Sequence, residues 1–73
     1  MSAQVRVLLE SILESVELIE RYVKDVTRES FFTSQQMQDA VLRRIEIIGE
    51  AVKSLPQEWK DAHAVAPWRE MEA

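Results

Sequence analysis

Two arginines and two carboxylates, Arg43, Arg44, Glu46 and Glu50, crowd one stretch of the chain, and the only histidine, His63, follows beyond a proline. Imidazole, carboxylate and guanidinium are the groups from which acid–base and phosphoryl-transfer sites are made, so any chemistry has to start from these five. On a helix Glu46 and Glu50 stand one turn apart on the polar face, where with Arg43 they are expected to form a solvated face or the rim of a dimer interface. Arg44 differs, because it projects into an apolar arc between the stripe of Val41 and Ile48 and that of Ala40 and Ile47. An unpaired guanidinium is costly there. Two readings stay open: Arg44 faces a cleft shared with another helix or a second subunit, or it lays its methylenes over apolar surface with its head in water. Ile47, Ile48, Gly49 and Ala51 complete this candidate cleft or interface. A glycine inside a helix costs about 1 kcal/mol relative to alanine, which predicts a helix crossing close to Gly49.

Composition narrows the classes. The chain has no cysteine and one histidine, which excludes disulfides and thiolate metal sites and argues against structural zinc; no cofactor is expected. Nine Lys plus Arg against 13 Asp plus Glu give a net charge of −4, the wrong sign for a surface that attracts phosphates everywhere, although a local basic cleft stays possible. No apolar run approaches the ~20 residues that cross a bilayer. The opening MSAQVRVLLESILES carries acids inside its apolar stretch, unlike a signal peptide, so a cytoplasmic location and no membrane partner are expected.

The elements that must position these residues are helical. One Gly, two Pro and 47% apolar residues interspersed with charge describe an all-α chain. Val5, Leu9, Ile12, Val16, Ile19, Val23 and Val26 recur at alternating steps of four and three, which predicts a helix over roughly Ala3–Asp25 with Ser2 as its N-cap. Leu8 and Leu13 widen the stripe. TRESFFTS (residues 27–34) breaks the period and reads as a connector in which Phe31 and Phe32 plug the end of a hairpin. Thr33 with Gln36 has the spacing of a capping box, and Phe32 with Met37 that of a hydrophobic staple, so a second helix is predicted over roughly Ser34–Leu55. Ser54 with Gln57 offers another capping box around Pro56, which predicts a short helix near Gln57–Ala62 with Trp59 against the hairpin. Pro67 repeats the start signal before Trp68 and Met71.

A chain of 73 residues buries only about 60–65% of its unfolded surface, so its own core is marginal. The second helix is apolar over an arc of about 160°, more than one neighbour covers. A third helix or a second subunit is therefore expected to pack on it, and in a homodimer Ile47, Ile48 and Ala51 are the expected contacts.

Three segments together resemble a known family. ILESVELIERYV (Ile12–Val23), QDAVLRRIEIIGEAVKSLP (Gln38–Pro56), and His63 followed by Pro67-Trp68-Arg69-Glu70 stand in the order and at the spacing of the HepT-like branch of the HEPN domains. These are small all-helical ribonucleases of bacterial and archaeal toxin–antitoxin systems. The likeness spans nearly the whole chain and is most specific over Arg43–Ala51. It departs at Ala64-Val65-Ala66, where members commonly carry Pro, an acid and an aliphatic residue.

The resemblance implies an antiparallel helical hairpin within a HEPN bundle and metal-independent RNA cleavage by the complete domain. It implies homodimers, and a nucleotidyltransferase antitoxin that modifies a nearby tyrosine. It also implies an Arg, a polar residue and a His four to six residues beyond that Arg, on the helix that Pro67-Trp68-Arg69 opens. The chain reaches Ala73 before that motif, and no arginine stands at the required distance before His63. A single, incomplete HEPN domain over residues 1–73 is the expectation, without catalytic residues and acting through helical self-association. A regulatory module that pairs with an antitoxin or with an intact HEPN subunit is the alternative.

Overall fold

The computed structural model describes residues 2–72, and all of their regular structure is helical. Helix α1 (Ala3–Val23) begins at Ser2, whose hydroxyl accepts the Val5 amide at 3.1 Å. It stops two residues short of the expected Asp25, which takes a left-handed φ of 60° and reverses the chain. Aspartate tolerates that conformation better than most residues.

The break that follows is not an open connector. Thr27 caps a helix of its own, α2 (Arg28–Thr33), accepting the Ser30 amide at 3.0 Å. Phe31 is half-buried, but Phe32 is 63% exposed beneath the Arg28 guanidinium and plugs nothing.

Helix α3 (Gln35–Ser54) is capped by Ser34, not Thr33: the Ser34 hydroxyl accepts the Met37 amide at 3.1 Å. The Thr33 hydroxyl instead donates back to the carbonyls of Glu29 and Ser30, and the Gln38 side-chain amide closes the end of α2 by donating to the carbonyls of Phe31 and Phe32. Two adjacent hydroxyls competed for one cap. The extended backbone at Ser34 decides between them. That one-residue shift also removes the Phe32–Met37 staple.

Pro56 ends α3 and opens α4 (Gln57–Ala62). The expected capping box is absent, because Ser54 still lies inside α3 and Pro56 occupies the cap with no side-chain bond. A last turn, α5 (Trp68–Met71), follows Pro67 and packs on α3.

Helices α1 and α3 are antiparallel and form the main packed pair. Leu8 and Ser11 meet Ile47, Ala51 and Ser54 toward one end, while Tyr22 meets Met37 and Ala40 toward the other. The face that α1 buries overlaps the expected stripe, losing Val16 and Val23 from it and adding Ser15 and Tyr22. Val5 and Ser15 are buried and Leu8, Leu9, Ile12, Leu18, Ile19 and Tyr22 half-buried, whereas Leu13, Val16 and Val23 are exposed. Both sets repeat every 3.5 residues, and apolar character alone favours the one that lacks a serine.

The fully buried apolar core is small: Val5, Ala51, Val52 and Leu55. Ser15 lies within the α1 contact, wholly buried, with no hydrogen-bond partner for its hydroxyl among the described residues. An orphaned buried hydroxyl costs roughly 1–3 kcal/mol. Ser15→Ala is therefore expected to stabilise the chain by about 1 kcal/mol, read as a rise in the urea midpoint at unchanged slope.

Candidate functional site

The candidate residues all sit on α3, whose wide apolar arc turns them in different directions. Gly49 and Ala51 are buried, Arg44, Ile47 and Ile48 half-buried, and Arg43, Glu46 and Glu50 exposed. A groove of about 250 Å³ between α1 and α3 brings Ile47, Glu50 and Ala51 together with Leu8, Ser11 and Ser54. Arg43, Arg44 and Glu46 do not line it. Among the described residues none of the four charged side chains forms an ion pair. Nor does any group of His, Cys, Asp and Glu there have the arrangement of a metal site.

His63 ends α4 and is committed locally. Its backbone amide reaches the carbonyls of Lys60 and Trp59, and its ring Nδ1 lies 2.8 Å from the Trp59 carbonyl. A carbonyl only accepts, so that contact places the proton on Nδ1. The imidazole stacks on the Trp59 ring at 4.1 Å, and the Trp68 indole donates to the His63 carbonyl at 2.8 Å. These bonds tie the α4–α5 turn together.

The densest polar contact involves residues that the sequence reading passed over. Lys60 is only 4% exposed, and its ammonium donates to the Val52 carbonyl at 3.2 Å and to Glu72 Oε1 at 2.7 Å. Lys60 thus caps a carbonyl near the C-terminal end of α3, where the helix dipole favours a cation. The same ammonium anchors the residue that follows α5. A lysine on a short helix reads as exposed, and only the fold shows its stem lying under α5.

Hydrogen bonding from Lys60, followed by the charges of Lys60, Arg69 and Lys53, holds the Glu72 carboxyl below the usual carboxylate range, against the opposing effect of burial. A carboxyl depressed in the folded state contributes its full stabilisation above the unfolded value of about 4.3 and loses it as pH falls through the lower folded value. Acid titration should therefore release α5 below about pH 4, seen as a change in tryptophan emission as Trp68 leaves Trp59. Glu72→Gln is expected to remove that part of the transition.

No helix of the described residues is long and apolar enough to cross a membrane. The site therefore consists of a charged outer face on α3, a shallow groove against α1, and an α4–α5 turn closed by His63 and Lys60.

Comparison with known proteins gives the family. The "Ribonuclease HepT-like" family matches residues 12–73. Over 70 residues the chain is 56% identical to "Gamma-glutamylcyclotransferase and putative RNase MJ0434" of Methanocaldococcus jannaschii, covering 96% of this chain and 32% of that protein. It is 46% identical over 63 residues to "Probable ribonuclease HepT" of Thermococcus cleftensis, covering 86% of this chain and 57% of that protein. A further relative, "Putative RNase TTE0752" of Caldanaerobacter subterraneus subsp. tengcongensis, is 41% identical over 63 residues, 86% of this chain and 56% of its own length. The chain thus spans between about a third and three-fifths of these relatives, and no solved structure matches it. The family match takes in most of α1 and all of α2 to α5, and the chain belongs to the Ribonuclease HepT-like family.

Proposed function

We propose that these residues form the helical scaffold of a HepT-like ribonuclease, that they do not cleave RNA by themselves, and that they act by helical association. The observation that carries this reading is the state of His63. Metal-independent cleavage needs a group to activate the 2′-hydroxyl and a cation beside it to stabilise the charge that develops on phosphorus. The only imidazole of the chain is instead a helix-end hydrogen bonder stacked on Trp59. Arg43, Arg44, Glu46 and Glu50 lie on α3 and supply no second half of such a pair.

Association is supported by apolar side chains left exposed on both long helices, among them Leu13, Val16, Leu42 and Ile45. Self-association in the cytoplasm through α3 is one form of it, with the exposed Leu42 and Ile45 at the contact in place of the expected Ile47, Ile48 and Ala51, because Ala51 is buried and Ile47 lines the groove against α1. Pairing with a nucleotidyltransferase antitoxin or an intact HEPN subunit is another, and the exposed face is open to either.

The test is incubation of a structured RNA with this chain and, at equal concentration, with a version extended by a helix carrying Arg, a polar residue and His at the family spacing. The extended chain is expected to cut and this one to leave the RNA intact. Cleavage by this chain at a comparable rate, abolished by His63→Ala, would refute the reading.

A further inference from the structure

Where α5 folds back on α4 it closes a cavity of about 330 Å³, lined by Gln57, Lys60, Trp68, Arg69 and Glu72. All five belong to α4, to α5 or to the residue after it, so the lining is local to one turn of the chain. Its polar groups are mostly cationic. Lys60 is buried and spends two of its three N–H donors, on the Val52 carbonyl at 3.2 Å and on Glu72 Oε1 at 2.7 Å. The third has no partner among the described residues. Arg69 lines the same space, with a guanidinium that forms no ion pair among the described residues. Lys53, in the last turn of α3, adds a third positive charge that acts on Glu72.

Three further carboxylates share these helices. Asp61 accepts the Gln57 side-chain amide at 2.8 Å, Glu58 and Glu70 are exposed, and none of the three lines the cavity. The charges acting on Glu72 are accordingly all cationic, and its carboxylate is the one negative group in the lining. A buried ammonium with a spare donor beside an arginine is the chemistry that holds a phosphate group. Aromatic surface adjoins it. Trp68 lines the cavity, donates to the His63 carbonyl at 2.8 Å and lies 5.6 Å from Trp59, on which the His63 imidazole stacks at 4.1 Å. His63 is exposed, so the ring face turned away from Trp59 is open to another planar group. Lys60 and His63 stand one helical turn apart, a separation that a nucleotide spans between phosphate and base.

We infer that the α4–α5 turn is a binding site for a nucleoside phosphate, free or within a strand: the phosphate takes the place of the Glu72 carboxylate on Lys60 and Arg69, and the base stacks on the outer face of His63. Glu72 is then a built-in competitor, and the ligand's arrival frees the residue that ties down α5. The inference goes beyond the scaffold reading and stands without it, because binding requires no cleavage.

The test titrates the full chain, at constant ionic strength, with inorganic phosphate, with adenosine 5′-monophosphate, and with a 2′-O-methyl oligoribonucleotide of about ten nucleotides, following tryptophan emission. The blocked 2′-oxygens prevent cutting, so no outcome turns on whether the chain cleaves RNA. The mononucleotide is expected to bind about tenfold or more tighter than phosphate, since a stacked base adds its own contact. His63→Ala should remove that advantage, and Lys60→Met or Arg69→Ala should weaken both ligands about tenfold or more. Glu72→Gln should tighten both by about tenfold, because glutamine still accepts a hydrogen bond from Lys60 but no longer competes as an anion. A residue that only tied α5 down would give weaker or unchanged binding. His63, Arg69 and Glu72 lie at the surface, so their variants keep the fold where Lys60→Met loosens α5, and circular dichroism checks the helices. An oligonucleotide that binds at least as tightly as the mononucleotide makes a strand the ligand, and weaker binding makes it a free nucleotide; both uphold the site. No saturable change with any of the three ligands, equal affinity for nucleotide and phosphate, or a Glu72→Gln variant that binds no more tightly overturns the inference.

Discussion

Leu55→Ala is expected to lower stability by about 3 kcal/mol and the melting temperature by roughly 10–20 °C. Leu55 is 3% exposed and terminates α3, where its amide bonds the Val52 carbonyl. It belongs to a fully buried apolar set of only four residues, with Val5, Ala51 and Val52. In a larger core the neighbours of a deleted isobutyl group relax and recover part of the loss. Here the rest of the fully buried apolar set is one valine on α1 and an alanine and a valine on α3. Little can collapse into the space, so the cost should fall in the middle of the usual range for a buried leucine. Because small domains are stable by only about 5 kcal/mol, such a loss leaves a substantial unfolded fraction at physiological temperature. Differential scanning calorimetry with a urea titration reads it directly. A shift below about 3 °C would mean that the stability resides in the α1–α3 contact nearer its middle.

The position of that core was only half legible in the sequence. The existence, order and approximate span of the long helices follow from Ser2, from the 3.5-residue recurrence along Val5–Val26, and from the run that Pro56 ends. The turns that α4 and α5 make are announced by Pro56 and Pro67. What failed was the choice among equivalent signals. The positions of Val16 and Val23 and those of Ser15 and Tyr22 extend the Val5–Ile12–Ile19 face with the same period, and a serine in the second set disguised it as polar surface. Its burial is decided by the partner helix, which no local pattern contains. The cap of α3 moved by one residue because Thr33 and Ser34 are equally able acceptors, and α2 was hidden by a Thr27–Ser30 signal too brief to stand out from a loop.

The candidate site divides along the same line. The Arg43–Ala51 segment was readable because a charged and apolar succession of that kind exceeds what helix periodicity requires. The fold disperses it nonetheless, with Ile47, Glu50 and Ala51 in the α1 groove and Arg43 and Glu46 on the outside. Side chains at successive positions of a helix diverge by about 100°, so nearness in sequence is not convergence in space.

Lys60 gives the second large effect. Lys60→Ala is expected to cost about 2 kcal/mol, since it deletes most of a buried aliphatic stem at ~0.8 kcal/mol per methylene and leaves the Val52 carbonyl without its ammonium donor. Lys60→Met separates those contributions. Methionine keeps the stem in place and lacks the charge, so it should recover more than half of the stability lost in the alanine variant. It should not recover the docking of α5, which the Glu72 contact at 2.7 Å provides. Hydrogen exchange then distinguishes the two roles: α3 amides regain protection in Lys60→Met, while the amides of Trp68–Met71 exchange freely in both variants. A buried ion pair is not stabilising as a rule, because desolvation offsets attraction. Glu72 is 33% exposed and keeps part of its hydration, which lowers that opposing cost on one side of the pair. If α5 stays protected in Lys60→Met, its docking rests on the Trp59–Trp68 contact and the Trp68 bond to the His63 carbonyl, and Lys60 serves only as packing for the end of α3.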